Sequence, residues 1–151
     1  HLPRTRIAHF ACHGESDPVD PSRSRLLLHD HATAPLTVAA LAPVALDRVR
    51  LAYLSACRTA AADAAELTDE AIHLTSAFQL AGFPHVIGTL WETADDTAVG
   101  VADAFYTGLR TPHDVLDTSR AAHALHTAVR AERDRYPVTP SLWAAHLHVG
   151  A

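Results

Sequence analysis

The 151-residue chain contains no methionine, no lysine and no asparagine. With lysine missing, all twelve basic residues are arginine; they are scattered, and seventeen acidic residues leave a formal net charge of −5. Nucleic-acid binding normally needs clustered positive charge, so this balance argues against nucleic acid as a partner. Long hydrophobic runs are also missing. No stretch approaches the roughly 18 apolar residues of a membrane span, and the N-terminus shows no charged, apolar, small-residue signal pattern. No membrane partner is expected, and a cytoplasmic setting is. Cysteine is scarce: only Cys12 and Cys57 occur, with no C-x-x-C motif. Without secretory signals both thiols are expected to be reduced, leaving each for packing or catalysis.

Hydrophobic residues make up 48% of the chain and charged residues 19%, an ordinary globular composition. The length suits one domain with a two- or three-layer core. Short apolar runs at 6–11, 26–28, 50–55 and 85–91 read as strands, and 143–149 alternates like an edge strand. Residues 15–25 read as an exposed loop, and a brief helix is expected around 37–42. A helix over about 69–81 would bury Ala71, Leu74, Phe78 and Ala81 and close at Gly82. Thr93, with Asp96 three residues on, fits the start of another helix, with a stripe of Ala98, Val101, Ala102, Phe105 and Leu109. Thr111-Pro112 would open the next, running to about Arg133. The Ala-rich stretch 60–65 is read as a loop. Strands alternating with amphipathic helices predict an α/β sandwich with a mainly parallel sheet. The few strands and the absent initiator methionine lead to the expectation that N-terminal strands of the sheet lie outside this chain, which would then be the C-terminal part of a longer one.

In open α/β sheets functional residues gather at the carboxyl ends of the strands. The run "IAHFACHG" ends in His13-Gly14 and "RLAYLSACR" in Cys57-Arg58. On parallel neighbouring strands both side chains would emerge at one edge. An imidazole there can take the proton of a thiol whose ordinary pKa is about 8.5, and the thiolate can attack a carbonyl carbon. The amides of Gly14 and Cys57 are the natural oxyanion donors, since glycine admits close approach. His13 would then protonate the leaving amine. Cys12, inside its strand, is expected to pack. Arg58 could lower the Cys57 pKa by its charge.

Four blocks in order, "HFACHG", "LSACRT", "AFQLAGFPHVIGTLWE" and "SLWAAHLHVG", resemble a CHAT domain over roughly residues 6–150. Ala56-Cys57-Arg58, 44 residues after His13, is similar to the caspase pattern Gln-Ala-Cys-(Arg/Gln/Gly)-Gly with its histidine about 50 residues upstream. The resemblance implies a three-layer caspase-like sandwich, a clan CD cysteine endopeptidase acting on a protein or peptide substrate without cofactor, and His13 and Cys57 as the dyad. It further implies a bacterial protein in which tetratricopeptide repeats precede this domain in the same chain. "GTLWETADD" is similar to the "LWDVTD" block of separases, whose acidic residues help bind an arginine before the scissile bond. That implies Glu92 and Asp95 as recognition groups for a basic side chain, with Trp91 as a pocket wall.

Other readings compete. Asp95 and Asp96 fall in a first helical turn, where the helix dipole favours carboxylates for structural reasons alone. The pairs His29/His31, His123/His126 and His146/His148 invite a metal, but zinc needs about four converging ligands, and no Cys or carboxylate cluster completes any pair; no metal is expected. A catalytically silent interaction module attached to helical repeats, and a thiol redox protein using Cys12 and Cys57, are the alternatives from other classes.

Overall fold

The computed structural model describes residues 2–15, 17, 19–58 and 74–150, with backbone alone for Pro3 and for 56–58. Six strands form one sheet: β1 (Ile7–Glu15), β2 (Arg25–Leu27), β3 (Leu36–Thr37), β4 (Leu51–Arg58), β5 (His85–Thr89) and β6 (His146–Gly150). Their order across the sheet is β3-β2-β1-β4-β5-β6. The helices are α1 (Val38–Leu41), α2 (residues 74–80), α3 (Asp95–Leu109) and α4 (Ala121–Arg135). The expected helix start at 69, with Ala71, and the Ala-rich stretch 60–65 lie outside the described residues.

The expectation of a mainly parallel sheet is wrong. The sheet is mixed and mostly antiparallel: only β1–β4 and β4–β5 run parallel, while β1–β2, β2–β3 and β5–β6 are antiparallel. The parallel strands carry the apolar runs, because strands covered on both faces need them. The flanks, with two and three residues in β3 and β2 and a half-exposed β6, need no crossover helix and turn back on their neighbours.

Side chains alternate across the pleat, which divides the core in two. On one face Ala8, Ala52, Leu54 and Val86 pack with Phe78, Phe83 and Leu41, and Phe10 joins them with its ring 5.0 Å from that of Phe78. On the other, Leu51, Tyr53 and Ile87 meet Val101, Phe105 and Leu109 of α3 and Ala124, Leu125 and Ala128 of α4. Helices thus cover both faces, in an α/β sandwich. Helices α3 and α4 approach closely at Gly108, where an added Cβ would lie 3.0 Å from that of Ala124.

Gly82 closes α2 as its sequence position suggests. The Phe83 amide donates to the Phe78 carbonyl (3.2 Å) and the Gly82 amide to that of Gln79 (2.9 Å), the paired bonds of a Schellman motif. The Phe78 and Phe83 rings, 5.6 Å apart, supply its hydrophobic contact. Gly82 has φ +115, and a Cβ there would fall 2.5 Å from the Leu46 carbonyl oxygen.

Two helix starts differ from expectation. Helix α3 begins after Ala94 with no side-chain cap; Thr93 is buried instead, its Oγ1 without a partner among the described residues. Helix α4 starts ten residues later than Thr111. Asp114 sits at φ +57, outside the helical region, and an Arg110–Leu116 bridge closes residues 110–116 into a loop. Asp117 then accepts from the Ser119 amide and hydroxyl and sets the turn that leads into α4. The last strand starts at His146 rather than 143, because Pro140–Leu142 form a 3-10 turn and the Trp143 indole donates to the Tyr136 carbonyl. Among the described residues no helix is long and apolar enough to cross a membrane.

Strand β6 ends the sheet as the expected edge strand. Its two histidines face α4: His148 Nε2 lies 3.1 Å from His85 Nδ1, and burial lowers the pKa of both, with the charge of His85 adding to the effect on His148. Burial pushes His146 down to about 4, offset in part by the Trp143 carbonyl.

Two outcomes follow from this packing. Replacing Gly82 with alanine should cost on the order of 2 kcal/mol, read as a lower denaturant midpoint with an unchanged slope. His146 binds a proton more readily in the unfolded chain than in the folded one. Its contribution is therefore intact above about pH 6.5 and lost as pH falls toward about 4, by a few kcal/mol at most. Thermal unfolding at pH 7.5 and 4.5 should show this loss, reduced in His146→Phe; an equal pH dependence in the variant would refute it.

Candidate active site

The pairing of β1 with β4 determines the site. Eight register pairs run from Ile7↔Leu51 to Gly14↔Arg58, and His13 stands opposite Cys57. Adjacent strands lie about 4.8 Å apart, and directly paired positions share a face of the sheet. The two residues expected to cooperate therefore occupy neighbouring positions on one face, near the carboxyl ends of parallel strands. His13 is exposed. One detail differs from the sequence reading: both strands continue through the pair, β1 to Glu15 and β4 to Arg58. Gly14 consequently has register partners on both sides, Leu26 of β2 and Arg58 of β4.

The same pleat brings up further residues: His9, which from its place inside the strand is expected to pack or bond locally, and Ser55, Tyr53 and Tyr106, which the sequence reading gave no role. Positions 9, 11 and 13 of β1 share a face with 53, 55 and 57 of β4. His9 Nε2 lies 2.9 Å from Ser55 Oγ, bridging the strands just below the His13–Cys57 level. The His9 ring packs 4.8 Å from Tyr53 and 5.7 Å from Tyr106 of α3, and partial burial lowers its pKa. Burial also raises the two tyrosines, Tyr106 to about 12 and Tyr53 further, with Tyr106 adding to the shift on Tyr53. Both phenols are thus neutral at physiological pH. Below the candidate pair lies an aromatic floor carrying one strand-to-strand hydrogen bond. Its signal in the sequence was parity: His9 and His13, like Ser55 and Cys57, are an even number of residues apart.

Strand β5, parallel to β4, ends at Thr89 on the same carboxyl edge. The chain leaving it holds Trp91, Glu92 and Asp95. The Leu90 amide donates to the Ala145 carbonyl (2.8 Å) and the Trp91 indole to the Ser141 carbonyl (2.8 Å), so this segment is tied to the turn before β6. Glu92 is exposed, and so is Asp95, the first residue of α3.

Cys12 belongs to the other face, packed against the Phe10–Phe78 core, and it is a free thiol. Its strand partner is Ala56. That places it across the sheet from position 57 and removes the geometric basis of a redox pair. Among the described residues no group of three or more His, Cys, Asp or Glu is arranged to hold a metal ion. His31 Nδ1 instead lies 2.7 Å from the Leu28 carbonyl oxygen, His148 meets His85, and His123 and His126 are exposed on α4.

Comparison with protein families finds one described as CHAT domain, matched over residues 1–151. No curated protein matches the chain.

Burial raises the pKa of Cys12. In a Cys57→Ala chain, iodoacetamide should label Cys12 at pH 7.5 roughly tenfold more slowly than it labels free cysteine. Labelling at the rate of the free amino acid, followed by mass spectrometry, would contradict the packed placement.

Proposed function

Because the chain belongs to the CHAT domain family, a caspase-like family of clan CD cysteine peptidases, we propose that it is a cysteine endopeptidase using Cys57 and His13 as its dyad. The observation that carries this reading is the register pair His13↔Cys57 on adjacent parallel strands.

The chemistry needs few groups. His13 accepts the Cys57 proton, and the thiolate adds to the scissile carbonyl carbon, moving its π electrons onto oxygen. Backbone amides stabilise that oxyanion, with those of Gly14 and Cys57 as candidates. Gly14 sits between two strands, so a donor role for it requires the last rung of a ladder to open toward substrate. Collapse of the tetrahedral species breaks the C–N bond, and His13 gives its proton to the departing amine. Water, deprotonated by His13, then hydrolyses the thioester and restores the thiol. The exposed carboxylates of Glu92 and Asp95, on the segment leaving β5 at the same edge, suit a substrate with a basic side chain before the cleaved bond. Trp91, held by Ser141, would flank it.

Replacing Cys57 with alanine should abolish cleavage of arginine-containing peptides in the chain as naturally encoded, with a loss of 10³-fold or more on the order expected for a covalent nucleophile. Iodoacetamide should label Cys57 in the parent protein at mildly acidic pH. Unchanged cleavage by Cys57→Ala would sink the assignment, and Cys57 labelling only above pH 8 would favour a silent interaction module.

A further inference from the structure

Between α4 and β6 lies an open pocket of about 390 Å³, within the size range of small-molecule sites. It shares no residue with the His13–Cys57 site. Leu125 and Val129 of α4 and Trp143 give it apolar walls. Its polar groups come from two elements. His126, Arg130 and Arg133 project from α4 at spacings of four and three, which puts them along one stripe of the helix. His146 and His148 enter from β6.

No carboxylate lines this pocket, although the chain as a whole carries a net charge of −5. Of the acidic residues nearest in sequence, Glu132 lies toward α3, its Oε1 3.5 Å from where a Cβ on Gly100 would sit. Asp134 stays outside the lining but pairs with Arg133, accepting from its Nε at 3.2 Å and its Nη2 at 3.0 Å. Arg130 has no ion-pair partner among the described residues. His146 Nδ1 is buried without a well-aligned hydrogen-bond partner. His148 has its Nε2 engaged by His85, which leaves Nδ1 uncommitted. The walls thus combine an aromatic and aliphatic surface with guanidinium and imidazole donors.

We infer that the α4–β6 pocket binds a small organic anion, with an aryl or alkyl body against Trp143, Leu125 and Val129 and a carboxylate or phosphate headgroup held by Arg130 and by Arg133, which exchanges its exposed contact with Asp134 for the ligand. Guanidinium groups match both headgroups through charge-assisted hydrogen bonds. The apolar body accounts for the walls that a bare ion would leave unused. This site stands whether or not the chain is a peptidase.

The test is an NMR titration of the ¹⁵N-labelled 151-residue chain with 3-phenylpropionate, phenyl phosphate and the neutral 3-phenylpropan-1-ol. At least one anion should saturably shift amides of residues 122–133 and 143–148 together with the Trp143 indole N–H; which one does so identifies the headgroup. The alcohol should bind roughly tenfold more weakly or worse. Arg130→Gln combined with Arg133→Gln, both exposed positions, should reduce anion binding to the level of the alcohol while leaving the rest of the spectrum in place. Three results would each overturn the inference: no localised shifts with either anion up to about 10 mM, equal binding of the alcohol, or undiminished binding by the double variant.

Discussion

The parallel ladder between β1 and β4 is the constraint on which the molecule depends. Because side chains alternate with a period of two, sliding one strand by a single residue would turn every side chain of that strand to the opposite face. With β1 slid, Ile7 would leave the α3–α4 core, Phe10 would leave Phe78, and His13 would no longer face position 57. Hydrophobic burial on both faces therefore fixes the register, and the register sets position 13 opposite position 57. The His9–Ser55 hydrogen bond, itself partly exposed, is too weak to set that alignment. It depends on the packing beneath it.

The two faces serve different ends along their length. Toward the amino ends of β1 and β4 the α3–α4 face is closed by Val101, Phe105 and Leu109. Toward the carboxyl ends, among the described residues, Ala11 and His13 are exposed. Between these zones His9, Tyr53 and Tyr106 form a boundary where polar atoms meet aromatic rings. Packing of these rings beneath positions 13 and 57 is the kind of support that precise placement of side chains needs. The opposite face, with Phe10, Phe78 and Phe83, is occupied by packing.

Much of this was legible in the sequence, and what was not has physical reasons. The central strands announce themselves as apolar runs because both their faces are buried. Gly82 announces itself because few other residues tolerate its backbone angle. The convergence of positions 13 and 57 followed from two runs ending in reactive side chains. Strand direction at the flanks did not follow: β2 and β3 are too short for their composition to tell a crossover from a turn back. The late start of α4 was hidden because Thr111-Pro112 is a sound helix opening locally, and only the left-handed backbone at Asp114 and the Arg110–Leu116 bridge override it. The α4–β6 pocket was beyond reach for a similar reason. Its histidines and arginines are separated along the chain, and only the antiparallel return of β6 beside β5 sets them against α4.

The ends of the sheet raise a question of colloidal behaviour. An open strand edge is a template for a stray strand, and proteins commonly blunt it with brevity, proline or charge. At the β3 end brevity suffices, since two residues offer almost nothing to recruit. At the β6 end the protection is conditional. His146–Gly150 presents five residues with no proline and no permanently charged side chain, and its two histidines are held neutral near physiological pH by their burial. Among the described residues, then, β6 is the edge that a stray strand could join in neutral solution without loss of the fold.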